Sequence, residues 1–219
     1  MAKPFSQTLT PERALIFRIT HRANLPWILE NGLHCQSAAA SDSNFVSIGN
    51  PELIDRRRGR PVTIPPGGTL NDYVPFYFTP YSPMLYNIRT GYAGIPQRKN
   101  EEIAVLVSSL PVLKKNGVAY VFTDRHAYLQ TASFFSEEDD LETAVDFPLL
   151  QSRDFSRDPD HPEKFDRYQA EALAHRNVPV GALLGIGCYT SGIKDEIETT
   201  CSDLGVDVKI VHRAEWYFS

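Results

Sequence analysis

The sequence predicts an α+β fold in a single domain that spans residues 1–219. Strand-like segments outnumber helical ones and do not alternate strictly with them, which favours α+β over a doubly wound parallel sheet. Hydrophobic residues make up 42% of the chain, enough for a core of ordinary size. Two long polar segments interrupt the pattern, and such segments in a compact domain are typically binding loops or disordered. We therefore expect one domain with two functional loops.

The N-terminal part of the chain begins with a strand and a helix. Residues 15–20 alternate as a strand does, and a helix follows from about Asn24 to Glu30 and ends at Asn31-Gly32. From Ser37 to Gly68 the chain is polar and rich in Ser, Pro, Gly and Arg, without periodicity. The aromatic segment 72–80 is bounded by prolines and predicts a short strand.

The rest of the chain alternates short strands with polar segments. Residues 103–110 predict one strand, and residues 118–123 predict another after the turn Asn116-Gly117. A second polar segment covers residues 136–164. The closing elements are a strand within 182–189, an amphipathic helix over 193–204 and a strand over 206–211.

Charge is unevenly distributed along the sequence. The net charge of −5 argues against a nucleic-acid partner, but residues 137–146 hold six acids and no base. The remaining chain carries about +1 and includes arginines at positions 56, 57, 58 and 60. This cluster is either a solvated basic turn or a phosphate site, since the planar guanidinium binds phosphate well. Charge alone leaves both interpretations open.

Several familiar catalytic and metal sites are missing from the sequence. It has no G-x-x-x-x-G-K-[ST] and no G-x-S-x-G, and Gly185-Ile186-Gly187 has Thr190 where a dinucleotide fingerprint needs its third glycine. Cys35, Cys188 and Cys201 are odd in number and widely spaced, which argues against a disulfide framework. Without C-x-x-C, H-E-x-x-H or clustered Cys and His, we expect no metal.

The apolar runs and the N-terminus predict a cytoplasmic protein. The longest uninterrupted apolar runs are a handful of residues, far below the roughly 20 that span a bilayer. The opening residues MAKPFSQTLTPER do not resemble a signal peptide. We therefore expect no membrane association.

Several sequence blocks match one protein family in order. They are Phe17-Arg18-Ile19-Thr20-His21, Ile54-Asp55-Arg56-Arg57, residues 65–78 (PPGGTLNDYVPFYF), Ser82-Pro83-Met84-Leu85-Tyr86, Phe122-Thr123-Asp124-Arg125-His126, Gln169-Ala170-Glu171 and Glu215-Trp216-Tyr217. In these blocks the sequence resembles DarT, the DNA ADP-ribosyltransferase toxins of bacterial DarT–DarG toxin–antitoxin pairs. The resemblance covers nearly the whole chain, and DYVPFYF followed by SPMLY is its most specific part.

The resemblance implies a fold, a reaction and a set of partners. The fold is the split β-sheet of ADP-ribosyltransferases, with NAD+ as co-substrate in a central cleft and no metal. The reaction breaks the nicotinamide–ribose bond and joins ADP-ribose to a base in single-stranded DNA. In the branch that this chain resembles most, the acceptor is thymidine N3, and a related branch modifies guanosine. The expected partner is a macrodomain antitoxin similar to DarG, and we expect a monomer.

Two residues are expected to carry the chemistry. Glu171 matches the family's catalytic carboxylate, which would stabilise a cationic ribose and act as base towards the thymine imide. Arg57 matches the family's essential arginine, which would offset negative charge on the thymine and contact phosphate. From the residues alone, Glu171 would be interpreted as an ordinary surface carboxylate.

The resemblance also implies a set of cofactor contacts. The residues expected to bind NAD+ are Arg18, Ile19, Thr20, His21, Trp27, Cys35, Arg57 and Tyr77. Some relatives carry His where this chain has Arg18, so either the Arg18 side chain or its backbone would make the contact. A loop over about residues 40–59 would complete the enclosure. His21 reads equally as the cap of the following helix.

The segment 126–171 corresponds to the family's substrate loop, which leads into Glu171. The residues expected to contact or steer single-stranded DNA are His126, Arg153, Phe155, Arg157 and Tyr168. Stacking of an aromatic ring on a base is worth roughly 1–3 kcal/mol. The acidic run 137–142 would repel phosphates and is expected to point away from the strand. Without the resemblance, His126 reads as a turn or capping histidine.

Composition and resemblance disagree over residues 168–176. Their richness in Ala, Glu and Leu is typical of a helix, whereas the fold requires Glu171 on a strand. We predict a strand, in which Glu171, Leu173 and His175 share one face.

Two other interpretations of the function are open. The first keeps the enzyme class and changes the acceptor to guanosine in DNA, to RNA or to protein. The second is a non-catalytic binder of single-stranded nucleic acid with a degenerate transferase fold. The presence of both Glu171 and Arg57 argues against the second interpretation.

Overall fold

Eight strands form one mixed β-sheet in the computed structural model, which describes residues 4–219. The strands of the chain are β1 (Leu15–His21), β2 (Leu33–His34), β3 (Tyr73–Tyr77), β4 (Ile103–Ser109), β5 (Tyr120–Thr123), β6 (Phe134–Phe135), β7 (Glu171–His175), β8 (Asn177–Val178), β9 (Gly185–Cys188) and β10 (Ile210–His212). The large sheet has the order β10-β9-β4-β1-β3-β7-β5-β6, and β2 pairs with β8 separately. Only β9 and β10 run parallel among these pairs.

Eight α-helices accompany the strands in the described part of the chain. They are α1 (Leu25–Asn31), α2 (Pro51–Arg57), α3 (Pro83–Thr90), α4 (Leu110–Lys115), α5 (Leu141–Ala144), α6 (Phe147–Ser152), α7 (Lys164–Arg167) and α8 (Ser191–Asp203). Within residues 4–219 no helix is both long and apolar enough to cross a membrane. All three cysteines are buried and unpaired.

The sheet nearly divides between β1 and β3. β1 is aligned with β4 along its whole length, but it shares only the pair Phe17↔Tyr77 with β3. Pro75 explains the division because it has no N–H to donate to a neighbouring strand. Its carbonyl faces β1, where it accepts a hydrogen bond from Arg18 Nη1 at 2.9 Å instead of from a backbone N–H. The two halves of the sheet therefore separate and leave a cleft, which confirms the predicted split sheet.

The strand predicted around Glu171 is confirmed. β7 pairs with β3 from Tyr73↔His175 to Tyr77↔Glu171 and with β5 on its other side. The helix-like composition is overruled because this segment is buried between two strands, where the alanines pack closely. Tertiary pairing, and not local propensity, decides the conformation here.

Most other predicted elements are present, and the differences lie in the polar segments. α2 lies inside the segment 37–68, which the sequence predicts to be without regular structure, and α3 follows directly on Ser82. Both helices begin with a polar N-cap followed by proline, a signal that the missing periodicity obscured. The closing strand begins at Ile210, later than the predicted 206.

Candidate active site

Glu171 lies at the start of β7, at the edge of the cleft. Its backbone N–H donates to Thr123 Oγ1 at 3.2 Å, and its side chain is 2% exposed. The carboxylate accepts hydrogen bonds from both terminal nitrogens of Arg57, at 3.0 Å on Oε1 and 2.8 Å on Oε2. Oε1 also accepts from the backbone N–H of Ala127 at 3.0 Å. A buried carboxylate with this many donors is fixed in position and ionised.

Arg57, which binds this carboxylate, is the last residue of α2. The helix starts at Pro51, and the Asn50 side chain caps it by accepting from the Glu52 and Leu53 N–H groups at 2.9 and 3.2 Å. None of the residues of α2 is fully buried. The helix is therefore held in place by its N-cap and by side-chain contacts such as that of Arg57 with Glu171. The Arg57–Glu171 pair joins residues that are 114 positions apart in the chain.

The imidazole of His126 completes a cluster of three ionisable groups. His126 Nδ1 lies 3.1 Å from Glu171 Oε1 and 3.2 Å from the backbone N of Tyr128. One tautomer donates from Nδ1 to Glu171, and the other accepts from the Tyr128 N–H. Within residues 4–219, Nε2 has no hydrogen-bond partner, and the ring borders the cleft.

Burial and charge set the protonation of the cluster. Burial opposes ionisation of Glu171, but the charge and hydrogen bonds of Arg57, the neighbouring His126 and the Ala127 N–H together outweigh it and lower the pKa of the carboxyl. Burial also works against the charged form of Arg57, and the Glu171 carboxylate reverses the effect and raises the Arg57 pKa. For His126, burial and the Arg57 charge outweigh the opposing effect of the Glu171 carboxylate and lower the pKa below 6.5. At pH 7 the site therefore holds an ion pair and a neutral imidazole.

Arg18 and Tyr77 face the same cluster. Burial and the nearby Arg57 lower the pKa of Arg18 to about 10, so it remains charged at neutral pH. Its Nε atom is buried without a hydrogen-bond partner among residues 4–219. Burial and the Glu171 charge raise the pKa of the Tyr77 phenol, which stays neutral. The cluster therefore has two guanidinium charges and one carboxylate charge, an excess of positive charge that suits an anionic ligand.

The cleft has a volume of about 410 Å³, within the usual range for small-molecule sites. Its lining includes seven of the eight residues predicted to bind NAD+: Arg18, Ile19, Thr20, Trp27, Cys35, Arg57 and Tyr77. It also includes residues that the sequence did not single out, among them Phe45 and Met84. Phe45 is the one large apolar residue exposed in the predicted loop 40–59.

His21 lies outside the lining of the cleft, and its contact with NAD+ stays a prediction. Its Nδ1 accepts from the Ala23 N–H at 3.2 Å as a helix cap, which is the other role that the sequence allowed for it. Its other ring nitrogen lies 3.5 Å from Glu102 Oε1.

Four of the five predicted DNA contacts also lie outside the cleft lining, among them Phe155, whose ring packs 5.3 Å from that of Tyr168. Tyr168 is fully buried with its hydroxyl on the Tyr81 carbonyl, so it cannot stack on a base in this conformation. The Arg153 guanidinium covers the Tyr81 ring at 3.7 Å, and Arg157 covers the Phe165 ring at 5.0 Å. These side chains pack against the protein's own aromatic rings, which the residue types alone did not distinguish from stacking on DNA. Of the five residues predicted to contact or steer DNA, only His126 borders the cleft.

Comparison with known proteins identifies the family. Residues 17–218 match the family described as "ssDNA thymidine ADP-ribosyltransferase, DarT". The chain belongs to the DarT family. A curated relative from Escherichia coli O127:H6 (strain E2348/69 / EPEC), named DNA ADP-ribosyl transferase, is 49% identical over 219 residues and covers all of both chains.

Solved DarT structures have the same fold. Thermus sp. 2.9 DarT in complex with ADP-ribosylated ssDNA superposes with a TM-score of 0.87 at 33% identity, covering 95% of this chain and 98% of that one. The same Thermus protein in complex with NAD+ gives a TM-score of 0.82 at 33% identity, covering 95% and 99%. These matches confirm the predicted enzyme class, a DarT-type DNA ADP-ribosyltransferase with NAD+ as co-substrate.

Proposed function

We propose that this DarT-family chain transfers ADP-ribose from NAD+ to N3 of thymidine in single-stranded DNA and releases nicotinamide. The observation that carries this proposal is the buried cluster of Glu171, Arg57 and His126 at the mouth of a split-sheet cleft. The family description names thymidine, and a neutral base beside an ionised carboxylate suits an acceptor that must lose a proton.

Glu171 serves the ribose half of the reaction. When the nicotinamide–ribose bond breaks, nicotinamide leaves with the bonding electron pair and the ribose becomes an oxocarbenium-like cation. A fixed, buried carboxylate stabilises that cation strongly because no solvent reorganisation is needed. The low pKa of Glu171 keeps this charge present across the physiological range.

His126 serves the thymine half of the reaction. An imide nitrogen is a poor nucleophile until its proton leaves, and the proton needs an acceptor in the cleft. Because Arg57 lowers the pKa of Glu171, we assign the proton to His126 Nε2, with Nδ1–H donating to Glu171. N3 then forms its bond to the ribose carbon that nicotinamide has left. This assignment differs from the base role that the family resemblance implies for Glu171.

The two arginines divide the negative charges of the substrates. Arg57 lies beside the proposed site of proton loss, where its charge offsets the developing thymine anion. The Arg18 side chain has unused donor capacity in the cleft and pairs with no carboxylate among residues 4–219, so we assign it to the NAD+ diphosphate.

The cellular setting follows from the family and its substrates. NAD+ and DNA are both available in the cytoplasm, where we place the protein as a monomer. A toxin that modifies DNA needs an antagonist, and we infer a macrodomain antitoxin of the DarG type as its partner. Within the acidic run 137–142, Glu138 accepts hydrogen bonds from Lys114 Nζ at 3.1 Å and from the Tyr120 hydroxyl at 2.8 Å.

A base-omission assay tests the proposal. Labelled NAD+ is incubated with the protein and with single-stranded oligonucleotides that each lack one base. Label should enter every oligonucleotide except the one without thymidine. Loss of labelling with the guanosine-free oligonucleotide alone would reassign the acceptor to guanosine. Labelling of RNA or protein but of no DNA would reject the proposal.

A further inference from the structure

The four arginines near the end of α2 divide into two pairs with different tasks. Arg56 contacts Glu52 and Arg58 lies 3.7 Å from Asp55, so these two pair with carboxylates of their own helix. Arg57 reaches Glu171. Arg60 reaches a different segment, the turn after His126, and the proposed mechanism does not use it.

Arg60 makes three contacts with that turn. Its Nη2 donates to the Leu129 carbonyl at 2.9 Å, and its Nη1 donates to Gln130 Oε1 at 2.9 Å. Its guanidinium carbon lies 5.9 Å from the centre of the Phe134 ring. Arg60 therefore contacts the backbone of Leu129 and the side chains of Gln130 and Phe134.

The backbone of Arg60 is held by hydrogen bonds through both its N–H and its carbonyl. The Arg60 backbone N–H donates to the Arg57 carbonyl at 3.1 Å, and its carbonyl accepts from the Leu70 N–H at 2.9 Å. Val62 and Leu70 pack in one buried cluster with Ala127 and Leu173. A guanidinium fixed at its backbone can hold a neighbouring turn in a defined place.

The turn 126–132, which Arg60 contacts, carries two of the groups that contact Glu171. His126 and Ala127 open it, and the N–H groups of Leu129 and Ala132 then donate to the His126 and Leu129 carbonyls at 3.0 and 3.1 Å. Leu129, whose carbonyl Arg60 binds, is thus hydrogen-bonded through its own N–H to the His126 carbonyl. A shift of this turn would move the Ala127 N–H and the His126 ring relative to the carboxylate.

We propose that Arg60 is a positioning residue that holds the turn 126–132 so that the Ala127 N–H and His126 stay on Glu171. The proposal rests on the proposed function for its catalytic consequence. The partners of Arg60 are neutral, and its Nε is buried without a partner among residues 4–219, so the contact is not an ion pair. Its effect is geometric, because a planar fork fixes two acceptors at once.

The first test needs no activity. Amide hydrogen exchange of Ala127 is compared in the wild type, R60M and R58M. R58M removes an equally sized cation two positions away that reaches only Asp55. R60M should raise the exchange rate of the Ala127 amide at least tenfold, and R58M should leave it within twofold. Equal rates in R60M and the wild type would overturn the proposal whatever the protein's substrate is.

The second test measures the catalytic consequence. R60M should lower kcat for transfer at least tenfold and change KM for NAD+ less than threefold. Q130A removes one of the two hydrogen bonds that Arg60 donates and should lower kcat a few-fold. R60M/Q130A should be no slower than R60M, because both changes act through one contact. Additive losses of kcat in the double variant would contradict a positioning role. A loss of kcat in R60M that is fully explained by a lower melting temperature would contradict it too. An inactive wild type would instead reject the proposed function.

Discussion

At the scale of single residues, the account depends on how Glu171 and His126 share the work. The carboxylate is buried, ionised and bound to Arg57, whereas the imidazole is neutral with a free Nε2 at the cleft. In the proposed mechanism the two residues therefore act on different parts of the reaction. Glu171 is assigned to breaking the nicotinamide–ribose bond, and His126 is assigned to removing the proton from thymine.

This division predicts different defects in two variants. E171Q should lose both transfer to DNA and the slow hydrolysis of NAD+ in the absence of DNA, each by at least a hundredfold. H126A should lose transfer by a similar factor but keep hydrolysis within about fivefold, because water needs less help than an imide nitrogen. Nicotinamide release and oligonucleotide mass, measured in parallel, give the two rates. Equal loss of both rates in H126A would contradict the division.

The same two residues predict a dependence of stability on pH. Their pKa values in the folded protein lie below the ordinary values of 6.5 for a histidine and 4.5 for a glutamate, so the unfolded chain binds more protons. Stability from these groups is therefore complete above pH 6.5 and decreases as the pH falls, with a further decrease below 4.5. Urea unfolding from pH 4 to 8 should show a shallower decrease between 6.5 and 5 in H126Q than in the wild type. Parallel curves would contradict the depressed pKa of His126.

At the scale of elements, α2 is the weak part of the site. It presents no buried residue, and its N-cap Asn50 holds the first turn of the helix that delivers Arg57. Loss of such a cap costs about 1 kcal/mol. That cost falls on a helix with little other support, so it should affect Arg57 more than the whole fold.

Substitutions of the caps test this view of α2. N50A should lower kcat several-fold with little change in melting temperature, and N50S should restore most of the rate because serine also caps. T190A removes the cap of α8, where the Ile193 N–H donates to Thr190 Oγ1 at 3.3 Å. It should lower stability without changing kcat. A normal rate in N50A, or failure of N50S to recover, would separate α2 capping from catalysis.

The elements also show how far the sequence could predict the site. Alternation predicted β1, and the apolar segments around β4 and β5 predicted those strands, all of which lie largely in the core. The strand at Glu171 followed from the family resemblance, since its composition favours a helix. α2 was missed because an exposed helix of seven residues has no apolar periodicity. The burial of Tyr168 and the ring contacts of Arg153 depend on distant residues and left no local signal.

At the scale of the whole molecule, the cleft is a gap in the sheet. β1 and β3 share one aligned pair, and Arg18 bridges the gap to the Pro75 carbonyl. A ligand that contacts both halves should therefore stabilise the entire fold.

Thermal unfolding with NAD+ tests this expectation. A ligand at a hundred times its Kd stabilises the folded state by about 2.7 kcal/mol. Wild-type protein should therefore melt several degrees higher with saturating NAD+. At the same NAD+ concentration R18M should show a much smaller increase, because the diphosphate loses its proposed partner, and Lys115→Met, on the exposed end of α4, should match the wild type. An undiminished increase in R18M would remove Arg18 from the cofactor site.

The central claim is that this cleft joins ADP-ribose to thymidine in single-stranded DNA. The most direct measurement is tandem mass spectrometry of an oligonucleotide with a single thymidine after incubation with NAD+ and the protein, beside E171Q. We expect one added ADP-ribose per strand, fragments that place it on the thymine base, and no adduct with E171Q. An adduct on another base, or an equal adduct with E171Q, would contradict the account.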